Sequence, residues 1–192
     1  MTYDNFKNLV KTTRSTRRFL PNIEIKKEEL EEIIDLVRVT SSAKNMQPLK
    51  YVTVTNKDLV KKIATTAKWA AHLSLWNQKE EEQPSAFIIV INDSSIDGFA
   101  MVDCGISLQT IILGLKIKGY AACPMASLDK ELCIKEFSLG KNLKPMLAIA
   151  IGKEAEVLNI VVPKDDTNYY RNEKDEHCVP KRELNDVLLG SF

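Results

Sequence analysis

The chain has 192 residues, 44% of them hydrophobic, which suits a single domain with an ordinary hydrophobic core. Its formal net charge is +1, so no strong electrostatic field draws it to nucleic acid or to a membrane surface. The four cysteines lack C-x-x-C spacing, and neither His72 nor His177 has metal-ligand spacing. We therefore expect reduced thiols, no bound metal and a cytoplasmic location. The first ten residues lack the apolar region of a signal peptide, and the longest apolar runs are too short to cross a bilayer.

The first half of the chain carries both helix and strand patterns. In Lys26–Thr40, apolar residues recur from Leu30 at i, i+3, i+4 and i+7 with glutamates on the other face, which predicts an amphipathic helix. Tyr51–Thr55 alternates and is rich in β-branched residues, which predicts a strand. Asp58–Ala71 has a second helical pattern. The continuous apolar run Ala86–Ile91 predicts a strand buried on both faces.

The second half is dominated by one apolar segment, Ala100–Lys118. It is apolar on nearly every side and ends at Gly119, a good C-cap, which predicts a helix buried all round. Beyond it the sequence predicts an extended Tyr120–Pro124 and a short helix Asp129–Phe137, capped by Ser127 or Asp129. A strand Met146–Ile151, a long polar loop Lys153–Lys181 and a closing helix Glu183–Leu189 follow.

Nucleotide binding through a glycine-rich loop is disfavoured. The sequence has neither a G-x-G-x-x-G nor a G-x-x-x-x-G-K-[ST] pattern, and it has only 7 glycines. A phosphate group would therefore have to be bound by side-chain cations.

Two polar segments could bind a ligand. Thr13–Phe19 has three arginines in five positions with hydroxyls between them, which suits an anionic ligand, although a solvated basic turn has the same composition. Ser41–Pro48 offers amide donors and acceptors for a heterocycle, and the alternative is an ordinary polar turn ended by proline.

Three further features stand alone. Gln109 lies in the middle of the apolar helix, where a buried amide must bond either neighbouring backbone or a ligand. Asp103, near the start of that helix, is a favourable N-terminal charge. Lys181 and Arg182 follow Pro180, and taken alone they are surface residues.

Taken together and in this order, these segments resemble the nitroreductase family of FMN enzymes. The family segment R-S-x-R-x-F is matched by Arg14, Ser15, Arg17 and Phe19. The segment S-x-x-N-x-Q-P is matched by Ser42, Asn45, Gln47 and Pro48. The helix pattern D-x-G-x-x-x-Q is matched by Asp103, Gly105 and Gln109, with Leu113 and Gly119 further on. Pro145–Gly152 resembles the last core strand, and Val179–Arg182 resembles a phosphate-contacting tail. Two departures are Thr13, where many members have a second arginine, and Leu49, where an aromatic residue is common.

The resemblance implies an α+β fold, with a central, mostly antiparallel sheet flanked by helices, in an intertwined homodimer with an extended C-terminal tail. Residues 1–192 would form one FMN-binding domain, and residues 153–192 would be an arm that wraps the partner subunit. FMN would lie at the dimer interface, where the Ser42–Gln47 segment meets a flavin held mainly by the other subunit.

The resemblance also implies roles for particular residues. Arg14, Lys181 and Arg182 would bind the FMN phosphate, Asn45, Gln47 and Gln109 would meet the edge of the flavin ring, and Arg17 would face the N1–O2 region, where reduction places negative charge. The complete set implied for the cofactor is Thr13, Arg14, Ser15, Arg17, Ser42, Ala43, Asn45, Gln47, Asn77, Gln109, Pro124, Met125, Ala126, Lys181 and Arg182.

The function that the resemblance implies is electron transfer from NADH or NADPH, through FMN, to a small acceptor such as a nitroaromatic or a quinone. The flavin would carry the chemistry, so no side chain need be catalytic, and Cys123 is interpreted as a small core residue. The alternatives are a flavin-binding or flavin-carrying protein without turnover, a family branch acting in cofactor metabolism, and a dimeric scaffold without ligand.

Overall fold

A computed structural model describes all residues, 1–192, with six helices, seven strands and two short 3-10 helices. The helices are Tyr3–Thr12 (α1), Lys27–Val37 (α2), Lys57–Thr66 (α3), Ala100–Ile117 (α4), Lys130–Glu136 (α5) and Leu184–Val187 (α6). The strands are Leu49–Val54 (β1), Ala86–Asp93 (β2), Ala121–Met125 (β3), Leu143–Gly152 (β4), Leu158–Val161 (β5), Tyr170–Arg171 (β6) and His177–Pro180 (β7). The 3-10 helices are Ala43–Asn45 and Glu80–Glu82.

The main sheet has the order β1-β2-β4-β3, and every neighbouring pair is antiparallel. Successive residues of β2 face opposite cores: Ile88 packs with α2 and α4, while Phe87 and Ile89 pack with α3 and α5. All three side chains are fully buried, as the continuous apolar run predicts. The α+β fold with an antiparallel sheet flanked by helices is confirmed.

Helix α4 is not buried all round, so that expectation was wrong for the single chain. Its inner face carries Ile111 and Leu115, both 0% exposed, whereas Met101 is 77% exposed and Val102 is 55% exposed. By length and composition alone α4 could cross a membrane, contrary to the expectation from the sequence, but it packs against α2 and β3 of its own chain. One subunit therefore covers only one side of an apolar helix. Gln109 lies on the exposed side, so its amide is not buried as expected.

The predicted long loop after β4 was also wrong. Strands β5, β7 and β6 form a second sheet in that order, with β5 parallel and β6 antiparallel to β7. These strands have only two to four residues each, which is too short for a visible periodicity. The segment joins the main body through a bridge between Phe19 and Glu154. That residues 153–192 wrap a partner subunit stays a prediction.

Two helix ends show what the sequence did and did not reveal. The first helix, α1, was not expected, although the hydroxyl of Thr2 accepts the N–H of Asn5 as an N-cap and Phe6, Leu9 and Val10 share one face. The predicted cap of α5 is confirmed, because the Asp129 carboxylate accepts the N–H of Leu132 at 2.9 Å.

Candidate functional site

The arginine segment, residues 14–18, runs beside β3, the edge strand of the main sheet. Ser15 forms a parallel bridge with Ala122, and the N–H of Thr16 donates to the Ala122 carbonyl at 3.0 Å. Strand β3 ends at Met125, three residues beyond this bridge. The structure thus places the arginine segment beside the strand that contains Pro124 and Met125.

A buried carboxylate from the tail fixes the backbone of this segment. The Glu156 side chain is 1% exposed, and its Oε1 accepts the N–H groups of Arg17 at 2.5 Å and Arg18 at 3.1 Å. Its Oε2 accepts from Arg171 Nη2 at 2.5 Å. Sequence reasoning missed Glu156, since nothing distinguishes one glutamate within a polar tail.

The arginines around the site divide into two classes. Arg18 is ion-paired with Glu82 and Asp175, and Arg171 is ion-paired with Glu156 and Asp175. These carboxylates compensate the charges of the two structural arginines.

Arg14 and Arg17, by contrast, bond only neutral groups. Arg14 Nη2 donates to the Val10 carbonyl at 2.7 Å, and its Nε is buried without a partner. Burial lowers the pKa of Arg14. Arg17 Nη1 lies 3.3 Å from the Ser15 carbonyl oxygen and 2.9 Å from Nε2 of His177. Both arginines therefore retain uncompensated positive charge beside β3.

His177, the first residue of β7, is fully buried at this junction. Burial first, and then the neighbouring Arg17 guanidinium, lower the pKa of His177 to about 4, so the imidazole is neutral at ordinary pH. An arginine can only donate, so Nε2 of His177 is the acceptor and Nδ1 carries the proton. That Nδ1 group is buried without a partner. A lone histidine without metal spacing gave no sequence signal.

The loop Ser42–Gln47 is anchored to the first turn of α4. The Asp103 side chain is buried, and it accepts the Ser42 hydroxyl at 2.5 Å and the Ala43 N–H at 2.8 Å. The Ser42 hydroxyl in turn accepts the N–H of Gln47 at 2.9 Å. Asp103 is therefore an anchor for the loop as well as the expected charge near a helix N-terminus.

The anchored loop presents its amides outward. Asn45 and Gln47 have φ angles of 55° and 53°, in the left-handed region, and both side chains are exposed. Gln47 Nε2 donates to the Asn45 side-chain oxygen at 3.2 Å. The cavity behind the loop, lined by Ser42 and Asp103 among others, has a volume of about 190 Å³. It is smaller than the roughly 300–1,000 Å³ of a typical ligand pocket, so this loop cannot enclose a flavin by itself.

The model of the nitroreductase family matches residues 10–153. The chain belongs to the nitroreductase family. This confirms the resemblance, and the matched region includes the arginine segment, the anchored loop and α4 but ends before most of the tail.

Individual relatives support the assignment along most of the chain. The Bacillus subtilis protein named "Putative NAD(P)H nitroreductase MhqN" is 28% identical over 182 residues, covering 78% of this chain and 88% of MhqN. The crystal structure of ydfN from Bacillus subtilis has a TM-score of 0.71 at 20% identity and covers 99% of this chain and 100% of ydfN. A crystal structure from Exiguobacterium sibiricum, determined in complex with FMN, has a TM-score of 0.66 at 22% identity, covering 81% of this chain and 91% of that one. At these identities the two structures establish the shared fold.

Three further candidate residues of this nitroreductase-family chain, Asn77, Lys181 and Arg182, are exposed in the single subunit. The residue after Asn77, Gln78, donates to the Arg17 carbonyl at 2.8 Å. Asn77 is exposed and lines a cavity of about 650 Å³ together with two tryptophans. Lys181 and Arg182 are exposed beyond the end of β7. At about 3.3 Å per residue, Lys181 lies roughly 13 Å along the chain from His177.

The residues predicted to contact the phosphate and the ring thus lie on different elements of the subunit. The cations lie by β3 and after β7, whereas Asn45 and Gln47 lie in the loop that is anchored to the first turn of α4. Cys123, within β3, is 4% exposed, and desolvation raises its pKa to about 11, which agrees with its interpretation as a core thiol.

Proposed function

We propose that this chain forms a homodimer that holds FMN between its subunits and transfers electrons from NADH or NADPH to a small acceptor such as a nitroaromatic or a quinone. The observation that carries the proposal is the pair of half-buried cations, Arg14 and Arg17, that bond only neutral groups. A half-buried charge without a counterion is costly in an isolated protein, so an anionic ligand is the natural partner for both.

The donors near β3 fit FMN. The Arg14 guanidinium bonds only the Val10 carbonyl, so it keeps further N–H donors for a phosphate oxygen. Lys181 and Arg182 make no ion pair within the subunit and add further charge for the same group. Thr13 contributes no cation where many members have an arginine. Its hydroxyl donates to the Leu9 carbonyl at 2.7 Å. We therefore assign the phosphate to Arg14, Lys181 and Arg182.

The edge of the flavin ring requires hydrogen-bonding groups, and the subunit carries its candidate amides at a different place from the cations near β3. The amides of Asn45, Gln47 and Gln109 are all exposed, and the first two lie at the start of the apolar face of α4. Pairing two copies through this face would bring the amides of one subunit to the cations of the other. The exposed apolar residues after β7, including Leu188 and Leu189, would cover the partner in the same assembly.

Bound FMN would supply the two-electron chemistry, and the side chains would bind and orient. Arg17 would hold a fixed positive charge beside the ring, where it stabilises negative charge that appears on reduction. The Ser42–Gln47 loop, pinned by Asp103, would orient the ring edge without moving during turnover.

The absorbance spectrum of the purified protein, before and after loading with FMN, tests the proposal. We expect a yellow protein whose pigment, released by heat, runs as FMN on chromatography, and whose colour is bleached by NADH or NADPH without oxygen. Failure to bind FMN would overturn the proposal. A yellow protein that neither nucleotide bleaches would instead be a flavin-binding protein without turnover. Product analysis under air would reveal a branch acting in cofactor metabolism.

A further inference from the structure

We infer that His177 and Tyr169, both contributed by the tail, are positioning residues that hold the Arg17 guanidinium with neutral groups only and so keep its charge available to the flavin. The inference rests on the proposed function, and it adds two residues that lie outside the region matched by the family model.

Two different contacts fix the Arg17 side chain. Its Nη1 is 2.9 Å from His177 Nε2, and its guanidinium carbon lies 4.1 Å from the centre of the Tyr169 ring. The two tail rings also pack on each other, with centroids 5.2 Å apart. A hydrogen-bond acceptor and an aromatic face together define both the position and the plane of a guanidinium.

The charge of the residues that hold Arg17, here called the holder (His177 and Tyr169), matters as much as their position. Three other charged groups surround His177, namely Arg18, Arg171 and Glu156. The Glu156 carboxylate is the negative group among them, but it already accepts from two backbone N–H groups and from Arg171. Arg17 is left with a neutral imidazole and a phenol ring, and neither compensates its charge. A carboxylate at position 177 would hold the guanidinium equally well and would cancel the charge that the reduced cofactor needs.

Tyr169 also ties this holder to the loop that carries Asn77. On its other side the ring lies 4.8 Å from the His72 ring, edge to face, and its hydroxyl accepts the His72 N–H at 3.3 Å. Arg17, the tail and the loop after α3 therefore meet at one aromatic residue. His72 touches Tyr169 but is itself exposed, so it provides a matched control outside the holder.

The experiment compares His177→Leu, which removes the acceptor, His177→Glu, which adds a countercharge, and His177→Gln, whose amide oxygen replaces Nε2. Oxidised FMN binding is measured by fluorescence quenching and the midpoint potential by anaerobic spectroelectrochemistry. We expect His177→Leu and His177→Glu to weaken the binding of reduced FMN, relative to oxidised FMN, about tenfold. For a two-electron couple this lowers the midpoint potential by about 30 mV. The Gln variant should stay within about twofold of wild type, as should the control His72→Ala.

Melting of each apoprotein separates positioning from folding. If His177→Glu does not fold, Tyr169→Leu against Tyr169→Phe makes the same comparison, because phenylalanine keeps the ring face over Arg17 and leucine removes it. Unchanged potentials in folded, FMN-loaded His177→Leu and Tyr169→Leu would overturn the inference while leaving the proposed function intact. If wild-type protein binds no FMN, the proposed function fails first, and the inference falls with it.

Discussion

Arg17 and His177 are 160 positions apart in the chain, yet Nη1 of the arginine and Nε2 of the histidine are 2.9 Å apart. The contact requires a neutral imidazole, because a protonated one would place two cations at hydrogen-bonding distance. The stability of the folded chain is thereby linked to the protonation of one residue.

We expect the free energy of unfolding to fall as pH drops from about 6.5 toward 4. The pKa of His177 is lowered to about 4 in the folded chain, so in this window the unfolded chain binds a proton that the folded chain does not. The stability is complete above about pH 6.5 and declines by up to ~1.4 kcal/mol per pH unit. Urea unfolding at pH 7.5, 6.5 and 5.0 measures the free energy of unfolding. In the control variant His177→Gln, this free energy should depend less on pH. The hydrogen bond from Arg18 lowers the pKa of Asp175, so that carboxylate contributes only at lower pH. Equal stability at pH 5.0 and 7.5 would contradict the buried, neutral histidine.

Replacing Arg17 by alanine should change the cofactor more than the fold. The segment is held through its backbone by Glu156, so loss of the side chain opens no core cavity. A hydrogen bond to a charged group is worth roughly 1.5–3 kcal/mol, so the midpoint potential of bound FMN should fall by roughly 30–60 mV. Arg18→Ala is the matched control, because Arg18 is already ion-paired with Glu82 and Asp175 and its loss should leave the potential unchanged. A potential that is equal in wild type and Arg17→Ala would remove Arg17 from the site.

Arg14→Ala should weaken binding of FMN but not of riboflavin, which has the same ring and no phosphate. The loss of a charge-assisted hydrogen bond predicts a roughly 10- to 100-fold higher Kd for FMN. Lys181→Ala should show the same ligand dependence. Fluorescence titration with both ligands measures the difference, and an equal loss for FMN and riboflavin would show that the substitution damaged the fold instead.

Asp103→Ala should release the Ser42–Gln47 loop. It leaves the Ser42 hydroxyl and the Ala43 N–H without their acceptor, at a cost of roughly 1.5–3 kcal/mol in unfolding free energy. The Asn variant retains one acceptor oxygen and should lose less. Urea unfolding gives the stability, and FMN titration of the folded variants reports on the loop. Equal stability of wild type and Asp103→Ala would show that this anchor contributes nothing.

Met101→Arg should dissociate the proposed dimer. Met101 is 77% exposed on the apolar face of α4, where a charge would be buried on association. Light scattering at low micromolar protein should give twice the 21.7 kDa chain mass for wild type and about the chain mass for the variant, together with loss of FMN. Leu20→Arg, at a 44% exposed residue outside α4, is the control. A wild-type monomer that retains FMN would refute the shared site.

Local patterns predicted what local interactions decide. The continuous apolar run predicts β2, because a strand buried on both faces is apolar throughout. Asp129 predicts the cap of α5, because a capping side chain bonds a backbone N–H only three residues ahead. The contacts around Arg17 have no such local sequence pattern. Glu156 and His177 gain their meaning from contacts with residues about 140 and 160 positions earlier, and short strands carry them there. The exposed side of α4 was misjudged for a related reason, since a sequence shows that a face is apolar but not which chain covers it.

The hydrogen bonds from the arginine segment to Glu156 also set an order of folding. In the chain, Glu156 follows the arginine segment by about 140 residues and His177 follows it by 160. Until these residues are synthesised the segment has only its bridge to β3, and the loop to be closed is long, so its ordering waits for the synthesis of the tail. On the proposed function, FMN would therefore bind only after the tail has been made, and cleavage of the tail should release it even if the main sheet stays folded.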